Sequence, residues 1–210
     1  MLGIEHFGLF LAATLALNLT PGPDMLYIAS RASAQGTPAG LVSSLGIGAG
    51  CLVHALAAAF GLSALLMMSA LAFSLVKWAG VLYLIWLGVQ LIRAGWREAQ
   101  QQTLVPARLS QVFWQGVLVN VFNPKVALFF LAFLPQFAQP DSPHFVWQML
   151  MLGVIFSLCG TLVNAAVAAL CGHFGARLGD RPSWRRWQQS AAGVLIMAMG
   201  IGLALTERRG

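Results

Sequence analysis

Charge is what this chain has least of. Its 210 residues include 12 Lys or Arg and only 6 Asp or Glu. That is 9% charged, against about 25% for an ordinary soluble domain. Too few polar groups remain to wet the surface of a soluble globule, and at 59% hydrophobic the chain is far too apolar to be disordered. The net charge of +6 does not indicate a nucleic-acid binder, because the bases are sparse and spread along the chain. Cysteine is scarce too: Cys51, Cys159 and Cys171 all fall in apolar runs and give neither a disulfide framework nor metal spacing. Six acids leave no carboxylate pair for hydrolytic work. His-Glu-x-x-His, Gly-x-Ser-x-Gly and Walker patterns are missing. An enzyme has little support, and no cofactor is implied.

What the chain does have is long apolar runs. A membrane-crossing helix needs about 20 mostly apolar residues. Residues 32–76 carry no charge, and the 32 positions between Arg108 and Asp141 are broken only by Lys125. Six spans are expected, near 5–29, 40–68, 75–94, 112–137, 145–172 and 187–206. They use up most of the sequence as one all-α polytopic membrane domain. The first residues lack the basic region of a signal peptide, so 5–29 reads as a retained span. Loops after spans one, three and five carry eight Lys or Arg, Arg31 among them, and the opposite side carries three. The positive-inside rule then puts both termini outside the cytoplasmic membrane. Trp78 and Trp147 mark the outer boundary, and Trp96, Trp114, Trp184 and Trp187 the inner one.

An internal echo suggests two halves. Asn18-Leu19-Thr20-Pro21-Gly22-Pro23-Asp24 in span one is answered by Asn120-Val121-Phe122-Asn123-Pro124-Lys125 in span four. Ala79-Gly80-Val81-Leu82 recurs as Ala192-Gly193-Val194-Leu195. Three helices per half make the repeats inverted in the membrane, as in many secondary transporters. The expected plan is repeat 1 over about 1–95, a cytoplasmic linker over about 96–111 and repeat 2 over about 112–210. In each repeat the first helix is broken.

The breaks carry the chemistry. Pro21, Pro23 and Pro124 remove backbone donors, and carbonyls freed inside a bilayer need partners. Lys125 stands near the centre of its span, where a charge costs about 2.5–3.5 kcal/mol. Asp24 is the other charge expected inside the membrane, and pairing the two would cancel their charge. In depth, Asp24 lies only seven residues before Arg31, an axial offset on the order of 10 Å toward the cytosol. Asn18, Asn120 and Asn123 are amides suited to freed carbonyls or to a substrate's ammonium and carboxylate. Gly46, Gly50 and His54 share one helix face, apt for close packing within the protomer or in a homodimer. His54 and Asn164 are further intramembrane polar groups, His54 with the chemistry to relay protons.

The chain resembles the lysine-exporter/homoserine–threonine-resistance (LysE/RhtB) family of bacterial amino-acid exporters over nearly its whole length. The likeness is carried by Asn18 with Thr20-Pro21-Gly22-Pro23-Asp24-Met25-Leu26-Tyr27, and by Ala39-Gly40-Leu41 through Gly46-Ile47-Gly48 to His54. Lys77-Trp78-Ala79-Gly80 and Tyr83-Leu84-Ile85-Trp86-Leu87-Gly88 add to it. In the second half, Asn123-Pro124-Lys125-Val126-Ala127-Leu128-Phe129-Phe130 and Phe133-Leu134-Pro135-Gln136-Phe137 complete it. The resemblance implies export of amino acids or related small metabolites from the cytoplasm, driven by the proton gradient. It implies a central site at Asp24, Lys125, Asn18, Asn120, Asn123 and the Pro-Gly-Pro break. It also implies an acid in mid-span five, where this sequence has Asn164, so coupling here falls to Asp24 or His54 or differs in kind. The substrate does not carry over. Efflux of a cation or cationic compound is the first alternative, and a non-transporting membrane scaffold the second.

Overall fold

Proline decides where the first helix stops. In a computed structural model of the protein, which describes residues 6–62 and 106–178 continuously, Ile4, and single positions within 75–93 and 190–201, helix α1 runs Phe7–Leu19. Thr20 is extended, as a residue before proline must be. Helix α2, Pro23–Gln35, begins with proline at its first position, where a missing N–H costs nothing. The span expected near 5–29 is therefore two helices. Gly36, at φ 82°, turns the chain into α3, Thr37–Ala57, which continues through a wider turn over Ala58–Leu62.

The second half repeats this beginning. Helix α4, Leu109–Val121, has 13 residues, as α1 does. After a short break α5, Pro124–Leu128, again starts on proline, and coiling continues to Phe137. The two arms of this span meet at 48°. Helix α6, Phe145–Leu178, has 34 residues, about 51 Å at 1.5 Å per residue, against a hydrocarbon core of about 30 Å.

Every described element is helical. Thr37–Gly61 and Phe145–His173 are each long and apolar enough to cross a membrane, and the bent pair from Leu109 to Phe137 makes a third candidate. The spans expected near 75–94 and 187–206 lie outside the described residues, apart from single helical positions. Leu158 and Leu162, one turn apart on α6, are 60% and 72% exposed, the lipid-facing stripe of a helix with little polar surface. The interior is aromatic: Phe129 and Phe130 both pack on Phe156, with ring centroids at 4.7 and 5.2 Å. Phe10 of α1 closes on Phe137 at 5.5 Å.

Helix α3 lies at the centre, packed on α2, α4 and α6. Its contact with α4 is backbone on backbone. A Cβ added at Gly46 would collide with the Phe113 carbonyl, and one at Gly50 would lie 2.7 Å from the Val117 carbonyl. From the other side, a Cβ at Gly116 would lie 2.8 Å from the Ser43 carbonyl. The small-residue face is thus used within the protomer. Gly46→Val is expected to cost at least the roughly 1–3 kcal/mol of an overpacked core, read as lost folded yield and a lower Tm in detergent. Gly8→Ala is the matched control, because nothing lies within 4 Å of a Cβ there.

Candidate functional site

The carbonyl that loses most to Pro21 is that of Leu17, whose helical partner would be the missing N–H four residues on. It receives a 3.2 Å bond from the Thr20 N–H and another from the Lys125 ammonium, also 3.2 Å. The same ammonium donates to the Thr20 carbonyl at 3.0 Å. Lys125 is the second residue of α5, an unfavourable place for a cation because helix N-termini are electropositive. Its side chain answers that by reaching the electronegative C-terminus of α1. Gly22 allows the approach, since a Cβ there would stand 3.1 Å from Nζ.

Asp24 is the second residue of α2, where the helix dipole favours a carboxylate. It is 8% exposed. Oδ2 accepts the Asn120 amide at 2.9 Å, and Oδ1 has no hydrogen-bond partner. The two buried charges do not pair: Asp24 is held by Asn120, and Lys125 by α1 carbonyls. The expected depth offset between them does not keep them apart, because both side chains reach one cavity from the starts of two broken helices.

The second break repeats the pattern of the first. Pro124 deprives the Asn120 carbonyl of its helical partner. The Asn123 N–H, at 2.9 Å, and His54 Nε2, at 3.0 Å, take its place. A carbonyl only accepts, so His54 donates from Nε2. Asn123 caps α5, its Oδ1 accepting the Lys125 N–H at 3.0 Å. Its Nδ2 is buried without a partner.

Between the breaks lies a crevice walled by Leu17, Met25, Val126 and Phe156, with Asn18, Thr20, Asp24, Lys125 and Asn164 as its polar lining. In this conformation it has room for about one water molecule. Asn18 donates to the Thr14 carbonyl at 2.9 Å and abuts Gly160 of α6. Asn164 comes to the crevice from α6, two-thirds of the way along the chain from Asp24. Pro21, Gly22, Pro23 and Pro124 shape the breaks, and Asn120, Asn123 and His54 stand behind the lining rather than on it.

One network around a buried arginine escapes the sequence reading. Arg31, expected in a loop, lies inside α2 and is 5% exposed. It donates to Gln35 at 2.8 Å and to Gln115 of α4 at 2.7 Å. The Tyr27 hydroxyl reaches the Val112 carbonyl at 2.9 Å and Gln115 at 3.2 Å, and Gln35 donates to the Ala107 carbonyl at 2.8 Å. The available signal was the four-residue spacing of Tyr27, Arg31 and Gln35, one polar stripe on α2. Gln115→Leu removes an acceptor shared by Tyr27 and Arg31. A loss of about 0.5–1.5 kcal/mol is expected, measured as a lower Tm in detergent, with Ser110→Ala at an exposed position of the same helix as the control.

Charges at two helix breaks around one polar crevice match the pattern that secondary transporters use. The chain belongs to the LysE type translocator family, whose pattern matches residues 15–207. It is 32% identical over 198 residues to the homoserine/homoserine lactone efflux protein of Salmonella typhimurium, covering 94% of this chain and 95% of the relative. It is 30% identical over 215 residues to an uncharacterized membrane protein of Pseudomonas aeruginosa, covering 97% and 96%. It is 24% identical over 211 residues to the leucine efflux protein of Salmonella typhimurium, covering 98% and 97%. No solved structure matches it.

Proposed function

We propose that the protein is a proton-coupled secondary transporter that exports amino acids or closely related small metabolites across the bacterial cytoplasmic membrane. The observation that carries this is that Asp24, whose Oδ1 has no hydrogen-bond partner, lines the same crevice as Lys125. A buried acceptor on one side and a cation on the other complement a zwitterion, its ammonium toward Asp24 and its carboxylate toward Lys125. The relatives named for homoserine/homoserine lactone and leucine efflux support a small cargo of the amino-acid or amino-acid-derivative class.

The architecture we favour is six spans in two inverted three-helix repeats. It is supported by two 13-residue helices, each followed by a break, a helix-starting proline and a charged second residue. A crevice with room for about one water is too small for an amino acid, so the breaks must part toward one side at a time. Asp24 takes the coupled proton in this scheme, with Asn164 standing where the family resemblance implies an acid. Both termini lie outside, and a homodimer, if formed, uses a face other than Gly46 and Gly50.

Everted membrane vesicles with an imposed pH gradient test the reading. Labelled homoserine or leucine should accumulate, and a protonophore should abolish the signal. Failure of both under any gradient would overturn the amino-acid assignment. Cationic efflux is distinguished by leucine methyl ester, which keeps the ammonium and lacks the carboxylate. Transport of the ester in preference to leucine, undiminished by Lys125→Gln, would make a cation the cargo.

A further inference from the structure

We infer that His54 is a positioning residue, which holds the end of α4 so that Asn120 presents its amide to Asp24. This rests on the reading of Asp24 as the coupling and substrate-binding carboxylate. His54 is not among the groups that line the crevice. Its Nε2 lies 3.0 Å from the Asn120 carbonyl, the acceptor stranded by Pro124. The Phe130 ring stacks on the imidazole at 6.0 Å with 30° between planes, fixing the ring's orientation. One turn earlier on α3, a Cβ at Gly50 would lie 2.9 Å from Asn120 Cβ and 3.2 Å from its Oδ1. Helix α3 therefore grips Asn120 twice, at the side chain through Gly50 and at the backbone through His54. The remaining end of that side chain is the Nδ2 group, 2.9 Å from Asp24 Oδ2. The imidazole donates an N–H in this arrangement, and no step requires it to give up the proton.

The role can be read without knowing the cargo. A carboxyl oxygen of Asp24 must attack dicyclohexylcarbodiimide for labelling to occur, and the N–H that Asn120 donates occupies Oδ2. Loosening Asn120 therefore speeds the labelling of Asp24. The full-length protein in membrane vesicles is labelled and the modified peptide quantified by mass, with Asp24→Asn setting the background. His54→Leu should label roughly tenfold faster, the scale of one hydrogen bond to a charged group. His54→Gln, whose amide can replace the Nε2 donor, should label at the wild-type rate. Asn120→Ala should match His54→Leu, and the double variant should be no faster than Asn120→Ala alone.

A wild-type rate in His54→Leu would overturn the proposal, as would the full tenfold effect persisting in the Asn120→Ala background. The buried Cys51 reports folding, because it should stay unreactive to maleimide in variants that keep the fold. If the leucine variant exposes it, His54→Asn, whose amide stops short of the carbonyl, takes its place. Should homoserine and leucine both fail to move, the labelling result still stands or falls by itself.

Discussion

Asp24→Asn should fold as well as the wild type and should no longer couple transport to a pH gradient. The substitution keeps the shape of the side chain, and the amide oxygen can still accept from Asn120 Nδ2 at the place of Oδ2. Removing a charge that is 8% exposed from a membrane interior relieves desolvation, so folded yield should not fall. What disappears is the anionic, unpartnered Oδ1. A charge-assisted hydrogen bond to a bound ammonium is worth about 1.5–3 kcal/mol, which corresponds to a roughly 10- to 150-fold loss of rate. The proton-accepting group is lost at the same time. Initial rates in everted vesicles, with and without an imposed gradient, separate the two effects. Residual uptake should be slow and indifferent to the gradient. Gradient-driven uptake at the wild-type rate would remove Asp24 from the mechanism.

The breaks were legible in the sequence because they follow from a local rule. Proline lacks an N–H, and its predecessor avoids the helical region, so Thr20-Pro21-Gly22-Pro23 and Asn123-Pro124 end helices whatever surrounds them. Asp24 and Lys125 were legible because charge is so scarce that each exception stands out. Who answers each freed carbonyl was not legible, since Leu17 and Lys125 are 108 positions apart. Charge complementarity favoured a direct Asp24–Lys125 pair. It left out the helix ends, which offer an ammonium two carbonyls and a carboxylate an electropositive N-terminus.

Arg31 was misread for a related reason. A lone arginine after an apolar run looks like a loop marker until Gln115, 84 positions away, is seen to hold it. The Gly46 and Gly50 face was legible as a close-packing surface, but its partner was not. Only the fold shows that Gly116 of α4 meets it.

The absence of a direct ion pair makes a second prediction with a large expected effect: exchanging the two charges should not restore transport. In a paired system, Asp24→Lys combined with Lys125→Asp preserves the attraction and rescues either single variant. Here each position is specialised for its own sign. A carboxylate at position 125 would face the Leu17 and Thr20 carbonyls, acceptors that now receive the ammonium. The Thr20 carbonyl would lose its donor, which costs about 1–3 kcal/mol for a buried polar group, and the Leu17 carbonyl would keep only the Thr20 N–H. An ammonium at position 24 would sit on the electropositive start of α2, unfavourable by a further 0.3–1 kcal/mol or so. Asn120, which now offers position 24 its amide, would have to turn its carbonyl oxygen toward that ammonium. The exchanged protein should therefore be no more active than the weaker single variant, and its folded yield should be lower than that of either. Uptake per folded transporter decides the matter. Activity in the exchanged protein above both singles would mean that the charges meet during the transport cycle, in a conformation other than this one.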